Sequence, residues 1–240
     1  PQDYQQGNSF RIIYIHVPKC GGSSFGAALR LRHLMSQTTI ALGQGDQALR
    51  GEVRILDDYA RRRDQLHAEV GRGVRMIAGH VQYDADLHDG PARGYAFVTL
   101  LRDPVARFVS HYNYLQRRHP SPVRPPTLAG FLDTPDALRI ASQYLFYFAG
   151  HSQTAGRDPA PLIARAVAAL ERFDVVGDLA RPDAFAADLQ RLIRTPLPRW
   201  KRNAAPAPTH IPDSLRARIE QLCAPDIAVY RALHPRRAAA

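Results

Sequence analysis

The stretch His16-Val-Pro-Lys-Cys-Gly-Gly-Ser-Ser-Phe25 carries more potential chemistry than any other in the chain. It follows a β-rich apolar run, residues 11–16, and opens a segment of helical composition, residues 23–34. A strand-to-helix corner of this content suits an anion. Glycines let the backbone turn its N–H groups inward, and a helix start offers unpaired N–H groups and the positive end of its dipole. Ser23 and Ser24 add hydroxyls, and Lys19 adds a point charge. A glycine pair alone also marks an ordinary turn; Lys, Gly, Gly, Ser and Ser together favour the anion. The order is not that of a Walker A loop, where lysine follows the last glycine, because Lys19 precedes Gly21 and Gly22. Only Lys19 and Lys201 are lysines in a chain whose other cations are arginine, so the place of each is informative.

A second segment, Leu101-Arg-Asp-Pro-Val-Ala-Arg-Phe-Val-Ser-His-Tyr112, follows another apolar run, residues 95–101. Arg102 falls just past a strand's carboxyl end, where ligands collect in open α/β sheets, and its planar fork matches a phosphate. Taken singly, Arg102 could instead pair with Asp103, and Ser110 could be a solvated helix position. Two anion-suited segments at two strand ends argue for a shared purpose. Gly79-His80 closes a third apolar run, residues 74–78. Histidine, with an ordinary pKa of about 6.5, is largely neutral near pH 7 and can accept a proton. The alternative for His80 is a strand-end histidine that satisfies backbone groups; His16 and His111 are the next candidates among ten histidines.

On these residues the chain resembles the PAPS-dependent sulfotransferases (PAPS, 3'-phosphoadenosine 5'-phosphosulfate), and within them the heparan sulfate 2-O- and 6-O-sulfotransferase branch. That branch favours His-Val-Pro-Lys-Thr-Gly-Gly-Thr-Ser-Phe at the first loop; Cys20 and Ser23 stand here for its threonines. The resemblance implies that Pro18, Lys19, Cys20, Gly21, Gly22, Ser23, Ser24 and Phe25 meet the 5'-phosphosulfate. It implies that Arg102 and Ser110 meet the 3'-phosphate, and that His80 is the base, with Lys19 sharing in catalysis. Arg107 also matches, as a ligand or as a helix-surface salt bridge. Trp200-Lys201-Arg202-Asn203 falls where the family has a basic loop near the nucleotide, so Lys201 and Arg202 are donor-binding candidates, with a solvated loop as the alternative. Residues 142–150 resemble a family helix, without the arginine usual there. The resemblance runs over most of residues 11–234. It implies sulfuryl transfer from PAPS to a hydroxyl, with 3',5'-bisphosphate product (PAP) and no metal. A sugar hydroxyl is the favoured acceptor, with a tyrosine in an acidic peptide or a small metabolite open.

Strands alternating with helices imply a parallel α/β sheet flanked by helices, P-loop-like in outline. Asp103 is a good N-cap and Pro104 suits the first helical position, after which Val105, Phe108, Val109, Tyr112 and Leu115 repeat at helical spacing. Further helices are expected near 136–149, 159–171 and 182–194, with a short strand at 173–177. Residues 119–126 and 195–213 read as stiff proline-rich connections, and residues 36–72 show no clear period.

The 240 residues, 45% of them hydrophobic, fit one domain over 1–240 with a proper core. No apolar run is long enough to span a bilayer, and Pro1–Asn8 is polar. Two distant cysteines make no zinc or disulfide framework. These features predict a cytoplasmic chain with no membrane insertion and no metal. A net charge of +10 would attract phosphates, sulfates or an acidic acceptor. The scattered cations and the absence of a nucleic-acid motif argue against nucleic acid. Two other classes compete, a P-loop-type nucleotide kinase and a noncatalytic module binding acidic polymers. The first lacks its lysine, and the second would release no PAP.

Overall fold

The structure, a computed structural model, describes residues 10–33, 35–40, 42–43, 45–46, 48–152, 156–197 and 211–233, without the side chains of residues 22–24 and 32. The chain gathers into two compact units. One comprises Pro1–His16, Gly21–Leu100 and Arg172–Arg202, the other Val17–Cys20, Leu101–Glu171 and Asn203–Ala240.

The first unit carries the α/β architecture expected from the alternating pattern. Strands β1 (Ile12–Ile15), β2 (Gln37–Thr39), β3 (Met76–Gly79), β4 (Ala96–Leu101) and β5 (Val175–Asp178) form one sheet in the order β2-β3-β1-β4-β5. β1 runs parallel to β3 and to β4, and β2 parallel to β3, so Ile15 stands level with Gly79 and Thr99. β1, β3 and β4 are buried along their whole length, which is why they read as unbroken apolar runs rather than as alternating ones.

The helices of this unit are α1 (Gly22–Arg32), α2 (Gly51–Gly71), α3 (Ala85–Asp89) and, late in the chain, α9 (Pro182–Ile193). Ile12, Tyr14, Met76, Ala78, Val98 and Leu100 share a core with Phe25 and Leu29 of α1 and Phe185 and Leu189 of α9. Phe97, between Ala96 and Val98, meets His88 at 4.1 Å and Phe173 at 5.8 Å between ring centres. At the end of β3 a side chain on Gly79 would stand 2.8 Å from the Ile40 Cβ, so the glycine there serves strand packing beside β2.

Between them in sequence come the helices of the second unit: α4 (Pro104–Arg118), α5 (Leu128–Phe131), α6 (Pro135–Ala141), α7 (Gln143–Ala149) and α8 (Ala160–Leu170), joined by α10 (Asp213–Leu222) and α11 (Ala224–Leu233). The face of α4 expected to be buried is buried: Val105, Phe108, Val109 and Tyr112 pack with Phe131, Ile140, Ile219 and Cys223.

The helix expected over 136–149 is two helices, broken at Ser142, whose Oγ turns back to the Leu138 carbonyl at 2.9 Å. Every residue of α7 is buried, so it has no polar face for a helical period to reveal. The unread stretch 36–72 holds β2 and the long α2, whose buried side includes Arg62 and Glu69 beside Leu66 and Val70. Two buried charges on that side hid its apolar stripe. No described helix is long and apolar enough to cross a membrane.

Candidate functional site

The first loop leaves β1 at His16 and reaches α1 through two residues of positive φ, Lys19 at 66° and Gly21 at 76°. Glycine tolerates that region, whereas a lysine there costs roughly 1–2 kcal/mol. Such strain persists where surrounding structure holds it, commonly at functional sites. Gly21 is the N-cap of α1 and has no side chain to bond the first-turn N–H groups, and no acidic residue stands in that turn. The helix start is therefore electropositive, and its N-cap residue brings no side-chain bond to it. The side chains of Ser23 and Ser24 lie outside the described residues, as do Lys201 and Arg202.

Cys20 and Phe25 point inward. The Cys20 thiol is fully buried, 3.9 Å from the Tyr144 hydroxyl, and burial pushes its pKa up to about 11. The Phe25 ring is equally buried and meets Phe185 edge-on at 4.8 Å. Any part these two take in binding falls to their main chain.

The second unit brings Lys19 and Arg102 together. The Arg102 guanidinium donates from Nη1 to the Lys19 carbonyl at 3.2 Å. Asp103 spends its carboxylate on the N-cap, accepting the Ala106 N–H at 2.9 Å, and among the described residues no carboxylate lies in ion-pair range of Arg102 or Lys19. The Lys19 ammonium sits 4.2 Å above the Tyr114 ring. Partial burial lowers its pKa, and the charges of Arg117 and then Arg102 lower it further. Burial likewise lowers that of Arg102.

Lys19 thus feels the like charges of Arg117 and Arg102, and Asp103 is the carboxylate whose charge acts on Arg102, an arrangement that a bound anion would relieve. Ser110, Tyr114 and Arg117 follow one another at spacings of four and three, along one face of α4. Sequence reasoning reached Ser110 and stopped; the same helical spacing carried on would have found Tyr114 and Arg117.

Arg102 is held by a residue the sequence did not mark. The Tyr144 hydroxyl donates to the Arg102 carbonyl and accepts the Arg102 N–H at 2.9 Å. Tyr144 is anchored in turn by Asp226, whose carboxylate accepts the N–H groups of Tyr144 at 2.9 Å and Leu145 at 3.2 Å, capping α7 from the far end of the sequence. Arg107, expected as a ligand or a surface salt bridge, is neither. It is fully buried, 3.4 Å from Asp226 and bonded to the Ile140 carbonyl at 2.5 Å. Its position three residues before Ser110 turns it into the core of the second unit.

The first unit sets His80 beside His16, as the register of β1 and β3 requires. The rings stack at 4.5 Å, and the His80 Nδ1 is 2.5 Å from the His16 carbonyl oxygen. A carbonyl can only accept, so Nδ1 carries the proton and Nε2 keeps its lone pair. Burial lowers the His80 pKa; the bond to His16 opposes that shift, and the Arg62 charge adds to it. Arg62, a buried cation of α2 paired with Asp58, donates to the His80 carbonyl at 3.0 Å. The result is a neutral imidazole of one tautomer, suited to take a proton. Asp84, a carboxylate four residues beyond His80, is held by His67 and Arg63 at 2.9 Å each and by the Leu87 N–H at 3.0 Å. Among the described residues no cluster of His, Cys, Asp and Glu could hold a metal ion.

The five-stranded sheet with β1, β3 and β4 buried along their whole length defines an α/β protein. The chain belongs to the sulfotransferase family, whose defining pattern matches residues 4–130, more than half of its length. Among curated relatives it is similar to heparan-sulfate 6-O-sulfotransferase 2 of Homo sapiens, 27% identical over 136 residues, and of Gallus gallus, 26% identical over 119 residues. These matches take in 48% and 44% of this chain but only 21% and 28% of the relatives. Among solved structures it is similar to a sulfotransferase from Alicyclobacillus acidocaldarius, at 17% identity and TM-score 0.43, covering 93% of this chain and 95% of that one. Mouse sulfotransferase SULT7A1 complexed with PAP matches at 14% identity and TM-score 0.44, over 90% of this chain and 64% of that one.

Proposed function

We propose that the protein transfers a sulfuryl group from PAPS to a hydroxyl, a sugar hydroxyl before any other. The observation that carries this reading is the grouping of Lys19 with the cations Arg102 and Arg117 in a chain of the sulfotransferase family. A bisphosphorylated nucleotide fits that cluster because it brings negative charge to all three cations. When bound, PAPS supplies the sulfuryl group and departs as PAP.

The chain's own residues then have separate tasks. Lys19 and the first N–H groups of α1 offset charge on the leaving 5'-phosphate, where fixed donors act without reorganisation. Arg102, with Ser110 on α4, holds the 3'-phosphate. His80 takes the acceptor's proton on Nε2, the atom its bond to His16 leaves free. No step in this scheme calls on a metal.

The relatives' name, heparan-sulfate 6-O-sulfotransferase, favours a sugar acceptor, and the net charge of +10 favours an acidic one. Two free, buried cysteines suit a reducing, cytoplasmic setting. The test is PAP release measured against acidic glycans, tyrosine peptides and small phenols. Release with a glycan is the expected outcome. Failure of PAP to bind at millimolar concentration would refute the donor assignment.

A further inference from the structure

Tyr144 is fully buried in a helix every residue of which is buried, where a hydroxyl is costly unless it is bonded. Its oxygen has three partners: the Arg102 N–H, the Arg102 carbonyl and the Cys20 thiol. Cys20 and Arg102 belong to the two separate segments singled out as anion-suited, and the Arg102 side chain returns to the first of them through the Lys19 carbonyl. One phenol therefore closes a ring of contacts through residues 19, 20, 102 and 144. Asp226 fixes the other end of the same residue by taking its N–H at 3.0 and 2.9 Å. A phenylalanine would fill the same volume, so packing does not account for the oxygen.

We propose that Tyr144 is a positioning residue that sets the Arg102 main chain against the first loop, and through it the preference of the donor site for a 3'-phosphorylated nucleotide. This rests on the reading that Arg102 meets the 3'-phosphate. The Tyr144 ring is not itself a ligand; it acts by denying Arg102 a choice of backbone position. With the hydroxyl gone, the Arg102 N–H and carbonyl lose a buried partner and the segment shifts to recover one.

The experiment compares binding of PAP and of 5'-AMP, which lacks only the 3'-phosphate, to the whole chain and to Tyr144→Phe and Arg102→Ala. Tyr144→Phe is expected to weaken PAP about fivefold to tenfold, the loss of roughly one buried hydrogen bond, while AMP changes less than about twofold. Arg102→Ala is expected to abolish the preference for PAP over AMP. A lost preference in Arg102→Ala with an unchanged one in Tyr144→Phe overturns the role of Tyr144 and leaves the donor reading standing. An unchanged preference in Arg102→Ala overturns the donor reading, and the role of Tyr144 with it. Should Tyr144→Phe fail to fold, 4-aminophenylalanine in place of Tyr144 keeps the bond donated to the Arg102 carbonyl and weakens the one accepted from its N–H. An intermediate loss of PAP preference supports the proposal, and none overturns it.

Discussion

Replacing Lys19 by methionine should move binding strongly and stability hardly at all. The ammonium has Arg102 and Arg117 as like-charged neighbours and, among the described residues, the Tyr114 ring as a favourable contact at 4.2 Å. Methionine keeps a chain that packs on the ring and keeps the positive φ of 66°, so neither volume nor backbone strain changes. Loss of the cation–π contact costs about 0.5–1 kcal/mol. Relief of repulsion between partly exposed charges returns on the order of a few tenths to 1 kcal/mol. The net lies within about 0.5 kcal/mol of zero, a Tm change of roughly 2 °C or less for a chain of this size.

The donor loses a charge-assisted bond worth about 1.5–3 kcal/mol, or roughly 10- to 150-fold in Kd. For a wild-type Kd of about 1 μM, 1 mM PAP stabilises by about 4 kcal/mol, near 12 °C in Tm; the variant should show about 3–8 °C. Differential scanning fluorimetry with and without PAP reads both quantities. A Tm in the absence of PAP lowered by more than about 5 °C, or a full PAP response in Lys19→Met, would refute the reasoning, since the lysine would then serve the fold.

His80→Ala should keep PAP binding while turnover falls by roughly two to four orders of magnitude, the usual share of a positioned base, measured as PAP release with the true acceptor. The pH profile of kcat/KM should have an acid limb whose break lies below 6.5, because burial and Arg62 hold the His80 pKa down and only the neutral ring accepts a proton. Arg62→Met should move that break upward by removing the cation and freeing the Asp58 charge; a break that stays put would exclude Arg62 from tuning the base. Gly21→Ala should lower Tm by roughly 2–8 °C, since alanine at a φ of 76° costs about 1–2 kcal/mol even if the Leu179 methyl 2.6 Å away rotates aside. Chelator should leave turnover intact, and strict dependence on magnesium would turn attention to phosphoryl transfer.

Much of the fold was legible because it rests on local chemistry. β1, β3 and β4 announce themselves as apolar runs ended by polar or glycine residues, and α4 declares its start with Asp103-Pro104 and its buried face with Val105, Phe108, Val109 and Tyr112. β2 and α2 were not legible, since β2 is a short strand exposed at the edge and α2 buries Arg62 and Glu69. Nor was the break at Ser142, because the cap that starts α7 is the carboxylate of Asp226, distant in sequence. A local reading cannot see a partner that only folding supplies.

The site divides the same way. Sequence alone marked Lys19, Gly21, Arg102 and His80, because a strand end followed by glycine, lysine or arginine is a local pattern with a local physical meaning. Tertiary structure alone decided that Arg102 is bonded to the Lys19 carbonyl and makes no ion pair among the described residues, while Arg107, five residues on, is buried against Asp226. It alone showed the His80 Nδ1 on the His16 carbonyl, which leaves Nε2 as the proton acceptor. It alone made Tyr144 the tether of Arg102. Residue type and spacing determine which groups could do chemistry; charge state, tautomer and aim depend on neighbours that are distant along the chain and adjacent only once it has folded.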